Sequence, residues 1–344
     1  FIKLSNYFEG AEMPIFTPEE LSDLTLPKIE HMFQRINPSC FKIDFSKAHN
    51  FGQNPQHWAN IFQLLPKRMF TIMFGGKQLC GCPQENLLII FTALPKNIKC
   101  IEFNYCSLYK MSEEARNFLL ELCTKKLQSL SLADNKLYRL VRFDQLAQSL
   151  SKQLLSLDLS GNYLTHNQIV EFLTHVKAPL RHLNLQGNHP AETENELINL
   201  MQVLPDTVYS LSLEAPWTMS LKESFNRLRH IVYLNLDGSA LFYKETPILA
   251  DEFSELPPAL RYLQLTNNAL HLKLPQELEF ILARIPSSVK TILLDQSKLS
   301  LAQLAVLRND NRVRFEKKSI NAYFALFAAA SRPSIENNLP TAKL

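Results

Sequence analysis

The sequence predicts an α/β solenoid, a curved stack of similar units with a parallel sheet on the concave face and helices on the convex face. Apolar residues recur ten times at one spacing, the units follow one another every 23 to 29 residues, and each unit has a strand-like and a helix-like half. A repeat of this period is typical of stacked solenoids. The central apolar anchors are Ile43, Ile72, Ile101, Leu130, Leu157, Leu183, Leu211, Leu234, Leu263 and Ile292.

The strand half of each unit surrounds the central anchor. Apolar residues stand three positions before it and two positions after it in all ten units. Residues two apart share one face of a strand, so this half is predicted to be a short strand with a buried face. A polar side chain five positions after the anchor can bond the backbone of the following turn. Cys106 takes this position in one unit, and an asparagine takes it in four: Asn135, Asn162, Asn188 and Asn268.

The helix half precedes the strand. Apolar residues recur at the spacing of one helical face, as in Trp58, Ile61, Phe62 and Leu65. Strands lie ~4.8 Å apart and helices ~8–10 Å apart, so the stack must curve with its strands inside. Unit seven has Pro216 where Asn is expected, and a short unit follows it, so irregularity is expected across 205–245. A proline ends the helix in five units: Pro66, Pro95, Pro205, Pro257 and Pro286.

The segments before and after the repeats are predicted to cover the ends of the core. TPEELSDL at 17–24 begins with Thr-x-x-Glu, which predicts a capping helix. Leu301, Leu304 and Leu307 continue the helical face, and a second helical spacing covers 320–327. Alternatively, this second helix binds a partner or a membrane. The predicted parts are an N-terminal cap at 1–27, a repeat domain of about ten units at 28–300, a C-terminal helical cap at 301–330 and a flexible tail at 331–344.

The units resemble leucine-rich repeats of the ribonuclease-inhibitor-like type, most closely in LQSLSLADNKL (127–137), LLSLDLSGNYL (154–164) and LRYLQLTNNAL (260–270). The order of helix, Leu/Ile-Pro and strand is similar to repeats of virulence effectors that intracellular bacterial pathogens inject into host cells. The resemblance implies a protein–protein interaction scaffold that is secreted by a bacterium and acts in the host cytoplasm. The tail at 331–344 resembles the export signals of type IV secretion effectors; an ordinary frayed terminus is the alternative.

Composition excludes several classes of function. The net charge is +3, with 36 basic and 33 acidic residues, so we expect no nucleic-acid partner and no attraction to an acidic membrane. No apolar run reaches the ~18–20 residues that span a bilayer, and the first residues show no signal peptide. The six cysteines are scattered, and the C-x-C at Cys80 and Cys82 has no further ligands nearby. We therefore expect free thiols in a reducing cytosol and no bound metal. We also expect no cofactor and a monomeric protein.

No catalytic motif is present at a diagnostic spacing, so the chain is predicted not to be an enzyme. Bacterial leucine-rich repeat ubiquitin ligases carry a large catalytic domain, and only 44 residues follow Ser300. LPKIEHMFQRI at 26–36 could begin an F-box, but its apolar residues already fit the first repeat helix. Two alternatives stay open: a regulator of a GTPase with an arginine on a terminal loop, and the ligand-sensing fragment of a larger protein.

The residues that flank the anchors are predicted to face the hollow of the arc. They are either a solvated sheet face or a site for a protein partner. Tyrosine is favoured at binding hot spots, and the acidic bias predicts a basic patch on the partner. The half from His182 to Gln264 is favoured, because aromatic and acidic residues converge there. The candidate residues are Glu102, Tyr105, Asp158, His182, Asn184, Glu214, Tyr233, Asn235, Asp237, Tyr262 and Gln264.

Overall fold

The structure, a computed structural model, describes residues 15–16, 21, 24–46, 53–76, 79–125 and 127–316. In this part of the chain the strands form one twelve-stranded sheet whose spatial order follows the sequence. Every neighbouring pair is parallel, for example β6 with β7, where Leu157 lies beside Leu183. The predicted α/β solenoid is therefore confirmed.

The central anchors lie in ten consecutive strands, aligned so that each anchor neighbours the next. The flanking strands β1 and β12 extend the sheet at its two ends, and the sequence did not predict them. The strands are β1 (Ile15–Phe16), β2 (Lys42–Asp44), β3 (Thr71–Phe74), β4 (Cys100–Phe103), β5 (Ser129–Ser131), β6 (Ser156–Asp158), β7 (His182–Asn184), β8 (Ser210–Ser212), β9 (Tyr233–Asn235), β10 (Tyr262–Gln264), β11 (Thr291–Asp295) and β12 (Val313–Glu316).

A helix precedes or follows each strand, and successive helices pack side by side. The predicted helical faces are buried, as at Trp58, Ile61 and Phe62 in α2. The helices are α1 (Leu26–Gln34), α2 (Pro55–Leu64), α3 (Gln84–Thr92), α4 (Glu113–Thr124), α5 (Phe143–Ser149), α6 (His166–His175), α7 (Glu194–Val203), α8 (Lys222–Arg227), α9 (Thr246–Ser254), α10 (Pro275–Arg284) and α11 (Leu301–Asn309). Single 3-10 turns join some strands to the next helix: Leu108–Lys110, Leu137–Arg139, Leu241–Tyr243 and Leu270–Leu272.

The core changes its composition along the arc. In the first units phenylalanine rings from strands and helices pack in a continuous column. The Phe74 and Phe103 rings, one unit apart, are stacked with 5.4 Å between their centroids. Leucine replaces phenylalanine after the strand anchors from unit four onward, and these leucines are buried. Burial of these apolar side chains between successive units stabilises the stack.

The asparagine turns form as predicted. Asn162 is fully buried, and its amide donates to the carbonyl oxygens of Leu132 (2.9 Å), Leu159 (2.8 Å) and Ser160 (3.1 Å). Its side-chain oxygen accepts from the backbone N–H groups of Asn135 (2.9 Å) and Leu137 (3.2 Å). Each such asparagine therefore bonds its own turn and the turn of the preceding unit.

The short unit keeps its strand and shortens its helix. Leu211 and Leu234 remain paired in the sheet, whereas α8 has only 6 residues. A buried ion pair lies beside this short helix, with 2.8 Å between Lys244 Nζ and Glu252 Oε1. Glu252 Oε1 also accepts from the Leu221 N–H at the start of α8 (3.2 Å). The irregularity expected around 205–245 thus lies on the helix side, where charged side chains occupy space that apolar residues fill elsewhere.

The ends of the arc agree only in part with the predictions. Leu304 and Leu307 of α11 are buried, but Leu301 is 87% exposed, so its assignment to the apolar face is wrong. It occupies the first helical position, directly after the Ser300 cap, and no further unit follows within the described residues to cover it. Of the helix predicted within 17–24, only residues 21 and 24 are described. The helix predicted at 320–327 and the tail at 331–344 lie outside the described residues. The four-part division of the chain stays a prediction.

Candidate protein-binding surface

The side chains that flank the anchors cover one another more than the sequence suggests. Strands ~4.8 Å apart bring equivalent side chains of neighbouring units into contact. As a result, six of the eleven candidate residues are only 1–6% exposed: Glu102, Asp158, Asn184, Tyr233, Asn235 and Gln264. Their contact with a partner stays a prediction. In the structure these side chains pack against one another on the strand-lined face of the repeats, which we call the concave wall.

Tyr233 illustrates this packing. Its hydroxyl donates to Gln264 Oε1 at 2.6 Å, and Gln264 Nε2 donates to Thr266 Oγ1 at 2.9 Å. The phenol is therefore engaged within the wall. Tyr262, its neighbour in the sheet, is only half-buried and is the more accessible of the two predicted tyrosines.

A second group of candidate residues terminates the strands. The side-chain oxygens of Asp158, Asn184 and Asn235 each accept from the backbone N–H two residues later, at 2.9, 3.1 and 2.8 Å. This local bond closes the turn that follows the strand. It explains why Asp or Asn stands directly after the anchor in these units without reference to any partner.

Two of the predicted carboxylates present less exposed negative charge than the sequence implies. Glu102 forms an ion pair with Lys42, with 2.8 Å between Nζ and Oε1. Asp158 is almost fully buried, and this burial raises the pKa of its carboxyl to about 6. The Lys42 ion pair therefore offsets the charge of Glu102, and burial keeps the Asp158 carboxylate away from the surface, although it is mainly ionised at neutral pH.

The second half of the wall keeps its charge at the ends of the strands. Glu214, Asp237 and Asp295 follow or end β8, β9 and β11, and we call these three residues the acidic row. Within the described part of the chain, none of them forms an ion pair. Glu214 Oε1 accepts from the Gly187 N–H at 2.9 Å, which orients the carboxylate without neutralising it.

The members of the acidic row repel one another. Burial raises the pKa of Glu214, and the negative charge of Asp237 raises it further. Burial likewise raises the pKa of Asp237, with a further contribution from Asp295. Such a row is stabilised by any cation that approaches it, because both the desolvation and the repulsion then have a compensating partner.

The other two candidate residues have different surroundings. His182 lies with its Nε2 3.0 Å from the Tyr209 hydroxyl, and burial lowers its pKa to about 4, so it is neutral at physiological pH. Tyr105 is 66% exposed and sits in the turn after β4, far along the chain from the acidic row. A hydrogen bond to Asp134 raises the pKa of the Tyr105 phenol. The structure thus brings together the candidates that lie on or follow β8, β9 and β10 and leaves Tyr105 in another unit.

A set of exposed aromatic residues next to the wall was not predicted from the sequence. Tyr138, Tyr163, Trp217 and Tyr243 lie in the turns and 3-10 segments that follow the strands, and all four are exposed. A signal for them is present, because each stands six, eight or nine residues after a central anchor. The recurrence becomes visible only when these turn positions are aligned from unit to unit.

The described residues were also compared with the requirements of a metal site and of a membrane-spanning helix. No cluster of three metal-ligating side chains occurs among them. None of the described helices combines the length and the apolar character that crossing a membrane requires.

Comparison with known proteins identifies the fold. No protein-family model matches the chain, and no curated protein matches it in sequence. Among solved structures, the leucine-rich repeat-containing protein LegL7 from Legionella pneumophila is similar, with a TM-score of 0.71 and 20% identity. The alignment covers 87% of this chain and 98% of that one. The chain therefore has the leucine-rich repeat fold that its sequence predicts.

Proposed function

We propose that this chain is a non-enzymatic interaction scaffold that binds a basic surface of a protein partner at the acidic row. The observation that carries the proposal is the set of three carboxylates at the ends of β8, β9 and β11, which form no ion pair among the described residues. A lysine or arginine of the partner would relieve their mutual repulsion. Opposite charges across an interface also accelerate association and select the partner.

The arrangement suits a binding surface better than a catalytic one. Glu214 and Asp237 are held by the sheet and by turn bonds, so they are ordered before a partner arrives. Preorganised side chains lose little entropy on binding. The half-buried Tyr262 lies on the adjacent strand and supplies a ring at which a partner's side chain can pack.

The proposal includes a biological setting: the protein is a secreted bacterial effector that acts in the host cytoplasm. The similar fold of a Legionella pneumophila protein supports this setting, as does the helix, Leu/Ile-Pro and strand order of the units. A translocation reporter fused to the full chain tests it. We expect delivery into host cells that requires a functional secretion system and the tail at 331–344. Delivery that is independent of both would contradict the setting.

The binding proposal is tested by affinity capture from host lysate, followed by mass spectrometry. The test variant combines Glu214→Gln, Asp237→Asn and Asp295→Asn, which remove charge and keep the oxygen acceptors. The control combines three exposed carboxylates outside the wall: Asp206→Asn, Glu223→Gln and Glu279→Gln.

We expect the wild type and the control to capture the same basic protein. The test variant should lose about tenfold in affinity for it, since ~1.4 kcal/mol is a modest sum for three charge contacts. The wild-type interaction should also weaken as salt is added. Equal capture by all three proteins would refute the assignment of the acidic row.

A further inference from the structure

Aromatic side chains form a row along the edge of the arc where the chain leaves the strands. We call Tyr109, Tyr138, Tyr163 and His189, from four successive units, the aromatic ridge. The ring centroids of Tyr138 and Tyr163 are 6.2 Å apart, as are those of Tyr163 and His189. The guanidinium carbon of Arg139 lies 4.9 Å from the Tyr109 ring and 5.5 Å from the Tyr138 ring, which joins these two rings.

Tyr109 packs partly against the core, but the fold itself does not require the Tyr138 and Tyr163 rings. Tyr138 is 40% exposed and Tyr163 is 55% exposed, so neither fills the core. Tyr163 also has a φ of 57°, in the left-handed region that large side chains rarely adopt. At the equivalent turn position other units place Ser107, Lys136 or Ala240, with φ of 55°, 55° and 52°. A strained, exposed tyrosine where a small residue suffices indicates a role in binding.

The exposed positive charge of the aromatic ridge lies at its Tyr109–Tyr138 end. Lys110, Lys136 and Arg139 are exposed there, and the Asp134 carboxylate, in the same turn as Lys136, forms a hydrogen bond with the Tyr105 phenol. Arg139 Nε donates to the Tyr138 hydroxyl at 3.1 Å. The two terminal nitrogens of Arg139 have no acceptor among the described residues, so they are oriented by the rings and available to a carboxylate.

We propose that the aromatic ridge binds an extended acidic peptide segment of a protein partner. A carboxylate of the peptide pairs with Arg139, and its proline or apolar side chains lie on the Tyr138 and Tyr163 rings. Aromatic-lined surfaces favour extended, proline-containing segments, because these lose little conformational entropy on binding. This site differs from the acidic row in place and in the sign of the charge that it selects.

A peptide fits these charges better than a nucleic acid does. Nucleic acids carry a negative charge at every nucleotide and need cations along their whole path. Beyond His189 the neighbouring units instead present the carboxylates Glu214 and Asp237. A polyanion would be repelled there, whereas a peptide can place its acidic residues at the Arg139 end alone.

The test begins with a phage-displayed random dodecapeptide library, panned on the full-length protein. We expect enrichment of peptides that combine Asp or Glu with proline or aromatic residues. Enriched peptides are then synthesised with a fluorophore, and their affinity is measured by fluorescence polarisation. No enrichment, or enrichment of peptides rich in Lys and Arg, would overturn the proposal.

Three variants assign the peptide to the ridge. The double change Tyr138→Ala, Tyr163→Ala and the single change Arg139→Gln should each weaken the peptide by about tenfold or more, as expected for aromatic and arginine hot spots. Tyr243→Ala removes an exposed tyrosine outside the ridge and should leave the affinity unchanged. All side chains are exposed, and an unchanged thermal unfolding midpoint would verify folding. Equal peptide affinity for all of these proteins would overturn the proposal.

Two further measurements distinguish the aromatic ridge from the acidic row and from a nucleic-acid site. The triple variant of the acidic row should bind the enriched peptide as the wild type does, so the two proposals can fail independently. A fluorescent oligouridine should bind more weakly than the peptide. Tighter binding of oligouridine, lost in the tyrosine double variant, would assign the ridge to nucleic acid and contradict the peptide proposal.

Discussion

Removal of one buried asparagine should destabilise the middle of the arc. In the Asn162→Ala variant the N–H groups of Asn135 and Leu137 lose the oxygen that accepts from them, at 2.9 and 3.2 Å. An orphaned buried donor costs ~1–3 kcal/mol, so two donors predict a loss of ~2–6 kcal/mol in the free energy of unfolding. The carbonyl of Leu159 also loses its 2.8 Å bond.

The assay combines urea unfolding, followed by circular dichroism, with hydrogen exchange. Amides of Asn135 and Leu137 should lose protection in Asn162→Ala, because local opening in a solenoid is governed by contacts between neighbouring units. Asn167→Ala changes an exposed asparagine of the following helix, α6, and serves as the control. A loss below ~1 kcal/mol, with both amides still protected, would refute the assigned role of the asparagine turns.

Three further changes test other features of the fold. In Gly187→Ala, the new Cβ would lie 2.9 Å from the backbone nitrogen of Gly161 at a φ of +64°, so we expect the free energy of unfolding to fall by ~2–4 kcal/mol. Gly76→Ala, which has a similar φ but open space around the new Cβ, should lower it less. Glu252→Gln should cost ~3 kcal/mol by leaving Lys244 buried and unpaired, whereas replacement of both by Leu and Met should recover most of it. The raised pKa of Asp158 means that the folded state binds a proton more tightly than the unfolded state, so stability should fall as pH rises from 3.8 to about 6. Asp158→Asn should remove this pH dependence. In denaturant titrations at neutral pH it should raise the free energy of unfolding by up to ~3 kcal/mol.

The repeat and its two halves could be predicted because they depend on local periodicity. Side chains at Leu154, Leu157 and Leu159 are all buried, as their spacing within one unit requires. The asparagine turn was predictable for the same reason, since Asn162 bonds its own turn. Its bonds to the preceding unit follow once the units stack in register.

The candidate site was harder to predict because it depends on contacts between units. Lys42 and Glu102 are 60 residues apart, and their ion pair exists only because β2, β3 and β4 are adjacent. The adjacency of β9 and β10 likewise lets the Tyr233 hydroxyl donate to Gln264, and the Tyr233 side chain is buried. The strand to which a residue belongs follows from the repeat, whereas its exposure depends on the side chains of neighbouring units.

The most direct test of the proposed scaffold is a hydrogen-exchange footprint of the complex with the captured basic protein. If the acidic row is the binding site, exchange should slow in the turns after β8 and β9, where Glu214 and Asp237 lie, and stay unchanged in the convex helices. Slower exchange in helices α6–α10 alone, with those turns unaffected, would contradict binding at the concave wall.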